Sequence, residues 1–184
     1  MHDVQAARGA SLSDAARVPS ARRPVVLLLG VAALVLVTDL VTKHLAVDRL
    51  RSGHPKDVVD GLLTLRLVRN PGAAFGFAQG MTVVFTVVAV AVAAFILRIA
   101  GQLRSKAWAV ALGLVLGGAM GNLADRVFRE PAVFRGHVID FLELPHWPVF
   151  NIADSCIVSG GLLMVLLSVL GVAHDGAVDH AEPT

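Results

Sequence analysis

HVIDFLELPHWPVFNIADS, residues His137 to Ser155, sets two carboxylates in apolar company. Asp140 stands between Val138-Ile139 and Phe141-Leu142. Asp154 follows Asn151-Ile152-Ala153 and opens an apolar run from Cys156 to Val172, long enough to enter a bilayer as a helix. An ionisable group at the lip of a membrane helix is costly and points to a function. Two such groups a short loop apart can meet in one site. Poorly solvated carboxylate pairs share one proton, because both cannot ionise at close range. One pair then supplies a general base and a general acid.

Outward from this stretch the chain is dominated by apolar runs. Hydrophobic residues make up 55% of its 184 residues, mean hydropathy is +0.70 and there is no Tyr. This composition indicates an integral membrane protein of one domain rather than a soluble one. A net charge of +2, scattered between apolar runs, gives no footprint for nucleic acid. The single Cys156 excludes an internal disulfide framework and reads as a small core or lipid-facing residue.

Residues 1–23, rich in Ala, Ser and Arg, read as a disordered tail. Arg22-Arg23-Pro24 precedes a first span from Val25 to about Leu45. Asp39 and Lys43 inside it argue against a cleaved signal peptide. Asp60-Gly61 is a hairpin signal, and Leu63–Leu67 alternates as a half-buried strand. Asn70-Pro71-Gly72 reads as a turn, with Gly72 accepting positive φ. The small apolar stretch Ala73–Phe77 leads to a second span, Met81–Ala100. A third runs from Ala107 to about Ala124, with Gly113, Gly117 and Gly121 on one face. A short strand is expected at Val138–Leu144 and a fourth span at Phe150–Val172. The tail at 173–184 reads as disordered. The expected fold is therefore an all-α membrane bundle of four spans, residues 24–172, with a small extracytoplasmic β-rich element.

Four spans put both termini on one side. Arg22-Arg23 and the basic Arg98–Lys106 loop place that side in the cytoplasm, although residues 46–80 also carry five basic residues, Arg49, Arg51, Lys56, Arg66 and Arg69. Alternation then brings Asp39, Lys43, Asn70, Asn122, Asp125, Arg126, Asp140, Asn151 and Asp154 to the outer face. Asp39 and Lys43 lie at i, i+4; Asn122 and Asn151 each precede their charged or hydroxyl neighbours by three and four positions.

These boxes, in order, resemble lipoprotein signal peptidase (signal peptidase II): Asp39-x-x-x-Lys43, Asn70-Pro-Gly-Ala-Ala-Phe75-Gly76, Gly117-Gly-Ala-Met-Gly121-Asn122-Leu-Ala-Asp125-Arg126, Val138-Ile-Asp140-Phe141 and Phe150-Asn151-Ile-Ala153-Asp154-Ser155. The resemblance covers about residues 25–172. It implies a bacterial cytoplasmic-membrane aspartyl endopeptidase that cuts prolipoproteins before a diacylglyceryl-modified Cys. It implies Asp140 and Asp154 as catalytic residues, with Asp39, Lys43, Asn70, Gly72, Asn122, Arg126 and Asn151 in binding or support. The implied partners are the lipidated substrate and membrane lipid, with no cofactor, and the protein is expected to be a monomer.

Blander readings stand beside these. Asp39 and Lys43 can be a helix-end ion pair instead of a substrate contact. Asn151 can cap the fourth helix and also hold Asp154. Arg126 can reach another helix, the glycines can serve packing, and Phe75 and Phe141 can line a pocket. His137 and His146 flank Asp140, yet no His pair at i, i+4 and no HExxH supports a metal. Nor is there a Ser-x-x-Lys dyad or a Gly-x-Ser-x-Gly elbow. One rival class is a proton-coupled carrier, which would place its charges near the midplane, often within paired repeats. The other is a non-enzymatic scaffold, which needs no carboxylate pair. Cleavage of peptide against transport counterflow separates them.

Overall fold

The computed structural model describes residues 22–50, 53–72 and 82–174. Both expected tails, apart from their inner ends, lie outside these residues, as does the 73–77 stretch with Phe75. Among the described residues there are four α-helices: α1 (Arg22–Arg49), α2 (Thr82–Ile99), α3 (Lys106–Phe128) and α4 (Ile152–Val169). All four are long and apolar enough to cross a membrane. Three strands, β1 (Lys56–Val59), β2 (Leu63–Asn70) and β3 (Val138–Glu143), form an antiparallel sheet in the order β1-β2-β3. The expected class of a four-helix membrane bundle with a small β element is the one observed.

Two helices outrun the sequence boundaries and two fall short of them, α2 at Thr82–Ile99 against Met81–Ala100 and α4 at Ile152–Val169 against Phe150–Val172. α1 continues past Leu45 to Arg49, and α3 past Ala124 to Phe128. Hydropathy marks where apolar residues stop, whereas the backbone ladder continues while its hydrogen bonds are satisfied. Likewise β2 extends to Asn70, and β3 ends one residue early, at Glu143.

Helix α3 is the hub. It packs against α1, α2 and α4, and its glycines explain how. A Cβ on Gly113 would come within 2.8 Å of the Leu28 carbonyl, and one on Gly117 within 2.6 Å of the Ala32 carbonyl, both on α1. The α4 contact repeats the device: a Cβ on Gly118 would come within 2.5 Å of the Ala153 carbonyl, and one on Gly160 within 2.7 Å of that of Ala111. Between helices in lipid, close backbone approach supplies the packing that hydrophobic burial cannot. On α1 the buried residues Leu28, Ala32, Val35, Asp39, Lys43 and Ala46, with Leu50 just past its end, follow helical periodicity. The rest of that helix is an exposed apolar surface, with Val26, Leu34 and Val41 each more than half exposed. The lower part of the stripe joins an apolar core with Ile96, Leu103 and Leu112. Its upper end, Ala46 and Leu50, packs under the sheet against Ile139 and Phe141.

The hairpin expected at Asp60-Gly61 joins β1 to β2, with Gly61 at φ 68°. After β3 the chain reverses at once. Phe150 pairs with Leu142, its N–H donating to the Leu142 carbonyl at 2.9 Å. Residue 151 is thereby delivered beside β3 and starts α4 there.

Candidate active site

That reversal brings the two carboxylates together. Asp140 projects from the middle of β3, and Asp154 sits in the first turn of α4. Asn151 is the N-cap and joins them. Its side-chain oxygen accepts from the Asp154 backbone N–H at 2.9 Å, and its own backbone N–H donates to Asp154 Oδ2 at 3.3 Å, a reciprocal capping box. With the amide oxygen so engaged, its Nδ2 faces the other way and donates to Asp140 Oδ1 at 2.7 Å. Both sequence readings of Asn151 therefore hold, with one shift. Its cap and backbone serve Asp154, while its side-chain donor serves Asp140.

Each carboxylate has a second amide donor. Asn70 Nδ2 donates to Asp140 Oδ2 at 2.8 Å. The sheet sets this up: Val68 is opposite Asp140, so Asn70, two residues on, is its diagonal neighbour. The Asn70 oxygen accepts from the Gly72 N–H at 2.8 Å, and Gly72 has φ 102°, so the turn fixes the amide. Asn122 Nδ2 donates to Asp154 Oδ1 at 2.8 Å. Burial pushes the Asp140 carboxyl up to about 6, against the Asn70 donor; the Asp154 charge raises it further, and Asn151 and Lys43 oppose the rise.

Behind the pair lies a cluster of charges sealed from solvent. Lys43 Nζ is 2.7 Å from Asp39 Oδ2, 2.9 Å from Asp125 Oδ2 and 2.9 Å from Asn122 Oδ1. Asp39 Oδ1 accepts from the Ala153 N–H at 2.9 Å, which ties α1 to the start of α4. Asp125 also pairs with Arg129 and accepts from the Ile139 N–H at 3.1 Å, which ties α3 to β3. Asp39 and Lys43 are completely buried. They form a buried ion pair, and neither lines the cleft.

The carboxylates open on a cavity of about 520 Å³ between α2, α3 and α4, lined by Asn70, Gly72, Asn122, Arg126, Asp140 and Asp154 at its polar end. Phe85, Val88 and Val92 of α2, Ala119 of α3 and Ile157 of α4 make an apolar wall. Arg126 reaches across to α2, its guanidinium 5.9 Å from the Phe85 ring centroid, and its Nη1 donates to the Asn122 carbonyl at 3.0 Å. It therefore holds a backbone carbonyl and an aromatic face, and its positive charge borders the cleft that both carboxylates line.

Three features were not legible beforehand. Asp125 is the joint between α1, α3 and β3. Phe85 lies in an unpunctuated apolar run, with nothing to separate it from its lipid-facing neighbours. Trp147, in the loop before α4, lines the cleft.

Comparison with known proteins follows the same boundaries. Residues 31–170 match the family model for signal peptidase (SPase) II. The lipoprotein signal peptidase of Rhodococcus jostii strain RHA1 is 53% identical over 156 residues, spanning 85% of this chain and 79% of the relative. That of Mycobacterium tuberculosis strain H37Rv is 48% identical over 157 residues, spanning 85% and 78%. Two solved bacterial membrane enzymes share the fold. One has a TM-score of 0.70 and 25% identity, over 85% of this chain and 93% of that one. The other has a TM-score of 0.67 and 27% identity, over 77% and 92%.

Proposed function

Because this chain belongs to the signal peptidase II family, we propose that it removes signal peptides from diacylglyceryl-modified prolipoproteins, cutting before the lipidated Cys, with Asp140 and Asp154 as the catalytic pair. The observation that carries this reading is the bridge at Asn151. One residue holds both carboxylates at the polar end of a cleft with an otherwise apolar wall. A membrane-anchored substrate needs that combination: apolar surface for the signal peptide and acyl chains, and a carboxylate pair for the bond to be cut.

The reaction is hydrolysis without a covalent intermediate. Asp140 is buried, and that burial raises its carboxyl and favours its protonated form. Asp154 therefore takes a proton from water as the water oxygen attacks the scissile carbonyl carbon. Asp140 hydrogen-bonds the carbonyl oxygen and stabilises the charge that develops there. A proton then passes from the pair to the leaving amine as the C–N bond breaks, and the pair is left with one proton again. Asn70, Asn122 and Asn151 orient the carboxylates, Gly72 fixes the Asn70 turn, Lys43 and Asp39 brace Asn122 and α4, and Arg126 borders the cleft with positive charge.

Residues 24–172 form the catalytic membrane domain in this reading. Both termini are cytoplasmic, the sheet and the carboxylates lie near the outer leaflet, the protein acts as a monomer among membrane lipids, and no metal takes part. The deciding experiment is cleavage of a diacylated lipobox peptide by the purified chain in detergent. Release of the signal peptide with the modified Cys at the new N-terminus supports the reading; an intact peptide rejects it.

A further inference from the structure

A second cavity, of about 590 Å³, opens between the β1–β2 hairpin and the turn that follows β3. Its walls are unlike those of the catalytic cleft. Asp57, Thr64, Arg66, Glu143 and His146 give it mixed polar character, and every residue lining it lies outside the four spans. Arg66 and Glu143 pair at 2.9 Å across its floor, and Thr64 donates to Asp57 at 2.7 Å. The two cavities meet at Trp147, which lines both and is 64% exposed. The turn that presents it is held closed by a bond from the Trp147 N–H to the Leu144 carbonyl at 3.1 Å. It passes through His146 at φ 60°, a sparsely populated conformation that persists where the surroundings enforce it.

We propose that this groove is a binding subsite for the mature side of the substrate, the extended polar peptide that continues past the scissile bond, with Trp147 as the sill between the two cavities. The inference rests on the peptidase reading above. Chemistry decides which side of the substrate goes where. A signal peptide is apolar and belongs against the helices, whereas the sequence after the cut leaves the membrane and needs a polar wall. Distance decides which residues reach the groove. Glu143 is three positions beyond Asp140 on β3, about 10 Å along the strand and on the opposite face, so the way from one cavity to the other runs over Trp147, which lines both. Substrate residues more than about three onward from the cut therefore reach the Arg66–Glu143 pair. The groove carries both acidic (Asp57, Glu143) and basic (Arg66) side chains, so it favours short uncharged polar residues over a run of either charge.

The test compares two diacylated lipobox peptides. One stops at the residue after the modified Cys; the other continues about six residues further, enough at about 3.3 Å per residue to cross the groove. For the unaltered chain, KM for the long peptide should be about tenfold lower. Thr64→Trp fills the groove and should raise that KM to the short-peptide value. KM for the short peptide and kcat for both should stay unchanged. If melting shows that Thr64→Trp does not fold, Leu62→Trp decides instead, since that side chain is already 58% exposed at the rim. Equal KM for the two peptides on the unaltered chain, or a folded groove-filled variant that keeps the long-peptide advantage, overturns the subsite alone. Failure to cleave either peptide overturns the peptidase reading and this inference with it.

Discussion

Lys43 Nζ lies 2.9 Å from Asn122 Oδ1, and this contact decides which way the Asn122 amide faces. An ammonium has only donors, so the amide must offer it oxygen and turn its NH₂ outward, where it meets Asp154 Oδ1 at 2.8 Å. A completely buried lysine on α1 thus orients a donor to a carboxylate on α4 without touching it.

Replacing that lysine should therefore cost both stability and activity. Lys43→Met leaves Asp39 and Asp125 sealed beside each other, with Arg129 and the Ile139 N–H the remaining partners of Asp125. Stranding a buried charge in this way costs about 3–5 kcal/mol. Thermal melts in detergent should show the loss. Lys43→Arg should not restore it, because a planar fork does not fit a site shaped for a compact ammonium. Adding Asp39→Asn to Lys43→Met should recover part of it by removing the stranded charge. An unchanged melt for Lys43→Met would remove the bracing role.

The carboxylates themselves should behave differently. Asp140→Asn and Asp154→Asn keep the shape but cannot exchange the proton, so each should abolish cleavage while the protein stays folded and inserted. Asn151→Ala and Arg126→Ala should fall between these and the unaltered chain, since misplacing a reacting group can cost about a hundredfold in rate. Asn151→Ala should also lose roughly 1 kcal/mol of helix capping. Single-turnover cleavage with parallel melts ranks all four. Chelators should leave the rate unchanged; loss with rescue by zinc would overturn the metal-free mechanism.

The Asp140 carboxyl gives a pH prediction with a definite sign. Folding moves it from 3.8 to about 6. A group whose value is raised in the fold contributes its stability below the unfolded value and loses it as pH rises through the folded one. The window is therefore pH 4 to 6, and two units correspond to roughly 3 kcal/mol. Denaturant titrations should show stability falling across that window, and Asp140→Asn should flatten the fall. In catalysis the same proton sets the alkaline limb of kcat/KM, near pH 6 in the free enzyme. Asn70→Ala removes a donor that favours the ionised form, so the limb should move to higher pH. Movement to lower pH would contradict the assignment of the resting proton to Asp140.

Topology can be read by labelling. In a Cys156→Ser background, His54→Cys should react with an impermeant thiol reagent from outside the cell, and a reporter fused after Val172 should be cytoplasmic. Labelling from inside alone would invert the bundle and move the carboxylates away from the outer leaflet.

Much of this was legible in the sequence because a bilayer constrains chains so strongly. Backbone groups in lipid must pair internally, so each long apolar run reads as a helix, and alternation then assigns every polar cluster to one end. The i, i+4 spacing of Asp39 and Lys43 foretold their ion pair. What the sequence withheld were contacts between elements. Nothing local links Lys43 to Asp125 or Asn70 to Asp140; the first needs the glycine-mediated approach of α3 to α1, the second the β2–β3 register. Asn151 illustrates the boundary well. Its capping role follows from its place before a helix, but its donor to Asp140 depends on a chain reversal at Phe150 that no pattern announces.

The close approach of α1 and α3 yields the last prediction, because it is what places the buried charges. Gly121 faces the Asp39 carboxylate so closely that a Cβ at this position would overlap Asp39 Oδ2. The neighbouring atoms cannot yield cheaply. Asp39 is held by the Ala153 N–H at 2.9 Å and by Lys43 at 2.7 Å, and it is completely buried. Gly121→Ala should therefore push the carboxylate out of place, loosen the start of α4 through Ala153 and disturb Lys43, hence Asn122 and Asp154. Overpacking of this kind costs about 1–3 kcal/mol, and the rate should fall further than stability does, since the displaced chain of contacts ends at a reacting carboxylate. Gly161→Ala is the matched control. It lies within α4 with nothing within 4 Å of the added methyl, so helix propensity alone should act, worth up to about 1 kcal/mol in favour of the variant. Melts and single-turnover rates for the two should diverge in opposite directions. If Gly121→Ala melted and cleaved like Gly161→Ala, the buried charge cluster would tolerate displacement, and the coupling from α1 to Asp154 would have to be abandoned.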